Sequence, residues 1–195
     1  LGERKGVFNM RLESRLTPFL HAYKVKGLHQ FLSDYKHIII EIAHMDRDHG
    51  EDGVYNVPIC IEADKADWTT ELHEIHERLV DKFYIWEKSE YIPPSDFGAY
   101  VQEEGKCSNV WHNHIEDNSS IVTVCYIDPP KEGGEISFMF KGEVESFAPQ
   151  EDMIYIFPSW ALHRPEPHKG KTRVSINWGK YSQSKVINKV TGDIW

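Results

Sequence analysis

The sequence predicts an all-β core, a sandwich or barrel, with N-terminal helices and strands packed around it. Three observations carry this. From Phe97 onward the apolar segments are short, β-branched or aromatic, and bounded by Gly, Pro or Asp. The gaps between them leave no room for crossover helices, which excludes βα units. Before that point one long segment has a clear helical period.

In chain order, Val7 to Leu12 reads as a short strand, and Leu28 to Leu32 as helical after Gly27. His37 to Ala43 is rich in isoleucine and reads as a strand. Residues 44–58 form a polar stretch, with His44, Asp46, Asp48, His49, Glu51 and Asp52 around Gly50 and Gly53. It lacks the order of a calcium loop. A solvated surface loop is the plain reading, and a lid or substrate-contact loop the functional one.

Asp67 to Ser89 is the clearest helix. Leu72, Ile75, Leu79, Phe83 and Trp86 recur at three and four residues, Asp67 can cap the start, and Pro93-Pro94 bars continuation. His73 and His76 border this stripe without a third histidine beside them, so packing explains them better than metal binding. They do not form the His-Glu-x-x-His zinc signature. The strand candidates that follow are Gly98 to Gln102, Val110 to Ile115, Ile121 to Ile127, Ile136 to Lys141, Val144 to Phe147, Met153 to Phe157 and Thr172 to Trp178. The tail after Ser182, with Val186, Ile187, Val190 and Trp195, can pack across the domain or mediate a homodimer. The organisation expected is a single domain over 1–195: wrapping over 1–96, core over 97–180, tail over 181–195.

The chain has 195 residues and a formal charge of -9, from 22 basic and 31 acidic side chains. That length suits one domain with its own core. The acidic balance disfavours nonspecific binding to nucleic acid or anionic membrane, because phosphate contacts need clustered Lys and Arg. Cys60, Cys107 and Cys125 are odd in number and lack zinc-ribbon spacing, which suggests reduced thiols in a cytoplasmic setting. No apolar run is long enough to cross a bilayer, and the start, at Leu1 rather than Met, shows no signal-peptide pattern.

The chemistry concentrates between Trp111 and Trp178. His112, His114 and Glu116 share one face if a single strand runs through all three. His163 follows the Met153 to Phe157 strand, and a nearly closed sheet can bring its ring to the same centre. Two imidazoles and a carboxylate, with positions left open, suit non-haem Fe(II) and O₂. Three ligand sets are open: His114, Glu116 and His163; His112, His114 and His163; or His112 and Glu116 with His163. Chance is the plain reading of a lone His-x-His in a chain with 11 histidines. Arg173 shifts the balance. It opens the last strand, with Ser175 on the same face, and a buried guanidinium needs an anionic partner such as a ligand carboxylate.

Taken together, residues 97–180 resemble the double-stranded β-helix (jelly roll, cupin-like) core of the Fe(II)- and 2-oxoglutarate-dependent oxygenases. The likeness is greatest to small oxygenase-like proteins of bacteria and marine phages. The family pattern is His-x-Asp/Glu, a distal His, then Arg-x-Ser about ten residues on. Here His163 matches the distal histidine and Arg173-Val174-Ser175 the ending. Asp128-Pro129-Pro130 with Gly133-Gly134-Glu135-Ile136 resembles the turn between core strands, and residues 152–159 the approach to the distal histidine. The departure lies at the acid: His112 is followed two residues on by His114, and His114 by Glu116.

The resemblance implies a dioxygenase with Fe(II) as cofactor and 2-oxoglutarate and O₂ as co-substrates. It would hydroxylate a peptidyl or small-molecule substrate and release succinate and CO₂. Arg173 and Ser175 would hold the distal carboxylate of 2-oxoglutarate. His112, His114, Glu116 and His163 supply the metal ligands, and no side chain need act as a general base. Thr123 or Tyr126 can line the co-substrate pocket, and Trp111, Tyr100, Trp160 and Trp178 can form an aromatic wall. Two rivals belong to other classes: a cupin-like metal oxidase or isomerase that does not use 2-oxoglutarate, and a non-catalytic β-helix domain. Succinate formation separates the first reading from both. A zinc hydrolase lacks the second acid or base it would need.

Overall fold

The computed structural model describes residues 8–17, 19–45, 50–51, 53–59, 67–87, 97–108, 110–116, 119–181 and 185–195. Its centre is an eight-stranded antiparallel sheet. The strands are β1 (Met10–Thr17), β2 (Leu20–Val25), β3 (Gly50–Glu51), β4 (Val54–Ile59), β6 (Phe97–Gln102), β7 (Ser119–Ile127), β11 (Met153–Pro158) and β14 (Arg173–Tyr181). They lie in the order β1-β2-β11-β7-β14-β6-β4-β3. A smaller sheet is built from β9 (Ile136–Phe140), β10 (Glu143–Phe147) and β12 (Leu162–Pro165), in the order β10-β9-β12. Among the described residues there are three helices, α1 (Leu28–Ser33), α2 (Lys36–Met45) and α3 (Asp67–Phe83). This is the antiparallel β-helix core with N-terminal helices that the sequence predicts.

The period of two along each central strand sorts side chains to two faces. On β7, Ile121, Cys125 and Ile127 face the helix layer, among Leu28, Leu32, Leu72, Leu79 and Phe83. Val122, Val124 and Tyr126 face the smaller sheet, with Ile136, Phe138 and Phe157. Both faces are covered, so β7 and β11 read as continuous apolar runs rather than alternating ones. Each large aliphatic side chain taken fully out of water contributes about 1.5–3 kcal/mol. The two layers therefore hold β7 and β14 rigidly, and β14 carries part of the site.

Several expectations are corrected. Residues 37–43 are helical, within α2, not a strand. Ile39 and Ala43, four apart, are buried, while Ile42 is 40% exposed. A short isoleucine run does not by itself distinguish a buried helix from a strand. Here packing of α2 against β4 and β6 decides. Part of 44–58 is also regular, because β4 pairs with β6 through Tyr55↔Val101 and Val57↔Ala99. The long helix ends at Phe83, not Ser89. The chain then turns extended as β5 (Tyr84–Trp86), which pairs with β15 (Val186–Asn188) in the tail. A cross-strand partner far along the chain overrides the helical period there.

Cys60, Pro93-Pro94 and residues 46–49, 52 and 182–184 lie outside the described residues, as does Val7 of the first strand expectation. The Asp67 side chain, expected as a cap, also lies outside the description. Cys125 is a buried thiol. Among the described residues no helix is long and apolar enough to cross a membrane.

Candidate metal and anion site

Val110 to Ile115 is not a continuous strand. His112 alone makes a bridge, antiparallel to His163 of β12, and Ile115 and Glu116 form a turn. The bridge is reciprocal: each residue donates its N–H to the other's carbonyl at 3.0 Å. The His114 N–H donates to the Ser159 carbonyl at 2.8 Å. These backbone bonds, rather than strand alternation, bring the three rings together. One donor nitrogen from each of His112, His114 and His163 lies within 4.8 Å of the other two. The ring centroids are 4.3 Å apart for His112 and His163, 5.3 Å for His114 and His163, and 5.4 Å for His112 and His114. Glu116 is exposed in the turn and is not part of this cluster.

The surroundings prepare imidazoles to be ligands. His163 is buried against the rings of Phe157 and Phe138, and its Nδ1 donates to the Ala161 carbonyl at 2.9 Å. With that nitrogen protonated, Nε2 carries the lone pair. Burial, with His112 and His114 nearby, lowers the His163 pKa to about 3, so the ring is neutral near neutral pH. His112 Nδ1 meets the Val110 carbonyl at 3.1 Å in the same way. Imidazole nitrogens converging at this spacing fit a transition metal, and imidazole sets suit Zn, Cu, Fe and Ni.

The cluster opens onto a cavity of about 350 Å³ between the two sheets, which Arg173, Ser175 and Asn177 of β14 also line. Arg173 is 1% exposed. Its Nε and Nη2 both donate to Gln102 Oε1, the former at 2.7 Å, and Nη1 donates to the Gly134 carbonyl at 2.7 Å. A longer bond of 3.3 Å reaches the Glu166 carbonyl, and the Tyr126 ring lies beneath at 5.8 Å. All these acceptors are uncharged. Burial lowers the guanidinium's pKa, but arginine remains charged. Among the described residues no carboxylate is ion-paired with it. A cation so placed is a seat for an anion.

The Gly133-Gly134 turn makes this possible. Both residues have positive φ, 75° and 76°. A Cβ on Gly134 would meet Pro130 Cγ at 2.5 Å and Arg173 Nη1 at 3.2 Å.

Other expected residues are placed as follows. Tyr126 lines the cavity, whereas Thr123 faces the opposite side and is 3.0 Å from His76 Nε2. His76 stacks on Trp178 at 5.1 Å, which explains the histidine on the helix stripe by packing. Of the proposed aromatic wall, Tyr100 lines the cavity. Trp178 lies in the helix-side core, Trp160 packs on Phe19, and Trp111 lies under the Arg164 guanidinium at 4.7 Å. Gln102 and Asn177 escaped the sequence reading. Gln102 is the register partner of Arg173 across β6 and β14, a relation that exists only once the strands are paired.

No family model and no curated protein matches the sequence. Solved structures resemble the fold. A 2OG-Fe(II) oxygenase family oxidoreductase from Burkholderia pseudomallei is 13% identical, with a TM-score of 0.52 over 75% of this chain and 78% of that one. A prolyl hydroxylase from Trichoplax adhaerens, solved with a hypoxia inducible factor peptide fragment, is 11% identical, with a TM-score of 0.62 over 84% of each chain. The viral collagen prolyl hydroxylase of Paramecium Bursaria Chlorella virus-1, solved with 2OG, is 12% identical, with a TM-score of 0.58 over 83% and 96%. The fold is thus that of the 2-oxoglutarate oxygenases.

Proposed function

We propose that the chain is a non-haem Fe(II) dioxygenase that uses 2-oxoglutarate to hydroxylate a peptidyl or small-molecule substrate. The observation that carries this reading is the pairing, in one cavity, of a converging imidazole cluster with a buried arginine whose hydrogen-bond acceptors among the described residues are uncharged. His112, His114 and His163 would hold the iron. Bound iron supplies oxygen activation coupled to decarboxylation of the oxo acid, which yields succinate and CO₂. Arg173 takes the distal carboxylate, with Ser175 two residues along the same face as a hydroxyl donor. Gln102 and Gly134 hold the guanidinium plane toward the cavity. Phe138 and Phe157 keep water from the far side of His163.

The test is anaerobic Fe(II) titration with and without 2-oxoglutarate, followed by a succinate assay in air. A visible charge-transfer band that requires 2-oxoglutarate and weakens in Arg173→Ala supports the reading. Iron binding with no such band, and no succinate, favours the cupin-like oxidase or isomerase. The three-imidazole geometry is the observation in that rival's favour.

A further inference from the structure

We propose that His114 occupies the place a carboxylate would take, so that every protein ligand of this centre is neutral and the bound anion supplies the balancing charge. The inference rests on the reading above and concerns how its co-substrate is held.

His112 and His163 are bridged to each other, which fixes them as the facing pair. The residue two positions beyond His112 is His114, tied to the Ser159 carbonyl, with its donor nitrogen within 4.8 Å of the other two. Glu116 comes two residues later, exposed in the turn. Among the described residues the nearest carboxylate in sequence is therefore outside the cluster, and an imidazole fills the third corner.

The consequence is electrostatic. A divalent ion held by two imidazoles and a carboxylate keeps one net positive charge, and held by three imidazoles it keeps two. A doubly charged oxo acid then brings the centre to neutrality rather than to a net negative charge. Its distal end meets a second cation, Arg173, which is 1% exposed and whose acceptors among the described residues are neutral. The chain thus offers a dianion two positive poles in one semi-enclosed cavity, where charges are screened less than in water. Anion binding and metal binding are strongly coupled in such a site, and each raises the affinity of the other by the same factor. The ligand class is a dicarboxylate with a chelating oxo-acid end.

Calorimetric titration tests this with Co(II), which avoids oxygen chemistry, and with 2-oxoglutarate as the anion. The protein is the parent chain and its His114→Ala, His114→Asp and Glu116→Gln variants, each checked for folding by circular dichroism. The parent and Glu116→Gln are expected to bind Co(II) alike, with His114→Ala weaker by about tenfold or more. His114→Asp should keep the metal but bind 2-oxoglutarate about tenfold or more weakly, because the centre has lost one positive charge. Loss of Co(II) binding in Glu116→Gln with retention in His114→Ala overturns the ligand assignment. Equal or tighter 2-oxoglutarate binding by Co(II)-loaded His114→Asp overturns the charge argument. A folded parent that takes up no Co(II) sinks the underlying metal reading and this inference with it. A parent that binds Co(II) but no 2-oxoglutarate leaves a metal site and removes both the oxo-acid reading and the coupling.

Discussion

His112 and His163 lie fifty-one residues apart in sequence, and each donates its backbone N–H to the other's carbonyl at 3.0 Å. The bridge extends the smaller sheet beyond β12 and sets two imidazoles side by side, tilted at 53° with centroids 4.3 Å apart. The contact is made by backbone and does not depend on the side chains it positions. We predict that His163→Ala abolishes metal uptake but retains the fold. Metal titration read by intrinsic fluorescence, beside far-ultraviolet circular dichroism, checks this, and a variant that folds and still binds metal with parental affinity contradicts it.

Arg173 and Gln102 are register partners on the larger sheet and are coupled through their side chains. Gln102→Leu removes the acceptor of both Nε and Nη2 from a buried cation. A loss of about 1–3 kcal/mol in unfolding free energy is expected, with saturating 2-oxoglutarate recovering part of it by binding the native state. Urea denaturation with and without the oxo acid measures both quantities.

Gly134→Ala places a methyl group against Pro130 and the Arg173 fork, on a residue with a φ of 76°. The strained backbone costs about 1–3 kcal/mol. The expected result is a lower Tm and weaker 2-oxoglutarate binding together, whereas an exposed positive-φ glycine such as Gly142, with nothing near its Cβ, should lower Tm only when replaced.

A pH prediction follows from Asp128, which ends β7's path at a φ of 49° and is bonded to Lys36 Nζ at 3.1 Å and Ser33 Oγ at 3.4 Å. Partial burial pushes its pKa up, but Lys36, His29 and Ser33 outweigh that and hold it below the usual carboxylate value. A carboxylate depressed in the folded state contributes stability above its unfolded pKa of about 3.9, and that contribution is lost as pH falls through the folded pKa. Asp128→Asn keeps a residue that tolerates positive φ. It should therefore be less stable than the parent near neutral pH, with the gap closing as pH falls below the unfolded carboxylate pKa of about 3.9. Denaturation midpoints at the two pH values decide it; an unchanged gap contradicts the linkage.

Much of the architecture was legible because central strands in a two-faced core must be apolar on both sides. Ile121 to Ile127 and Met153 to Phe157 could be placed on that ground. That Arg173 and Ser175 share one face of a core strand was legible too, because residues two apart on a strand point the same way. The isoleucine run in α2 and the Tyr84–Trp86 strand were not legible. In both places local preference is nearly balanced, and partners distant in sequence, β4 and β6 for α2 and β15 for β5, decide the outcome.

The sequence by itself determined the chemical inventory: clustered imidazoles, a distal histidine and an arginine on a core strand, all within a run of short β segments. Only the tertiary structure decided which of them meet. Donor nitrogens converge through backbone bonds from His112 to His163 and from His114 to Ser159, while the turn at Ile115 and Glu116 carries the carboxylate outward. The neutral cradle of Arg173, made by Gln102 and Gly134, likewise depends on strand register and a double-glycine turn. Residue types limit the chemistry a chain can perform, but convergence within a few ångströms is a property of paired strands, and no spacing along the chain encodes it.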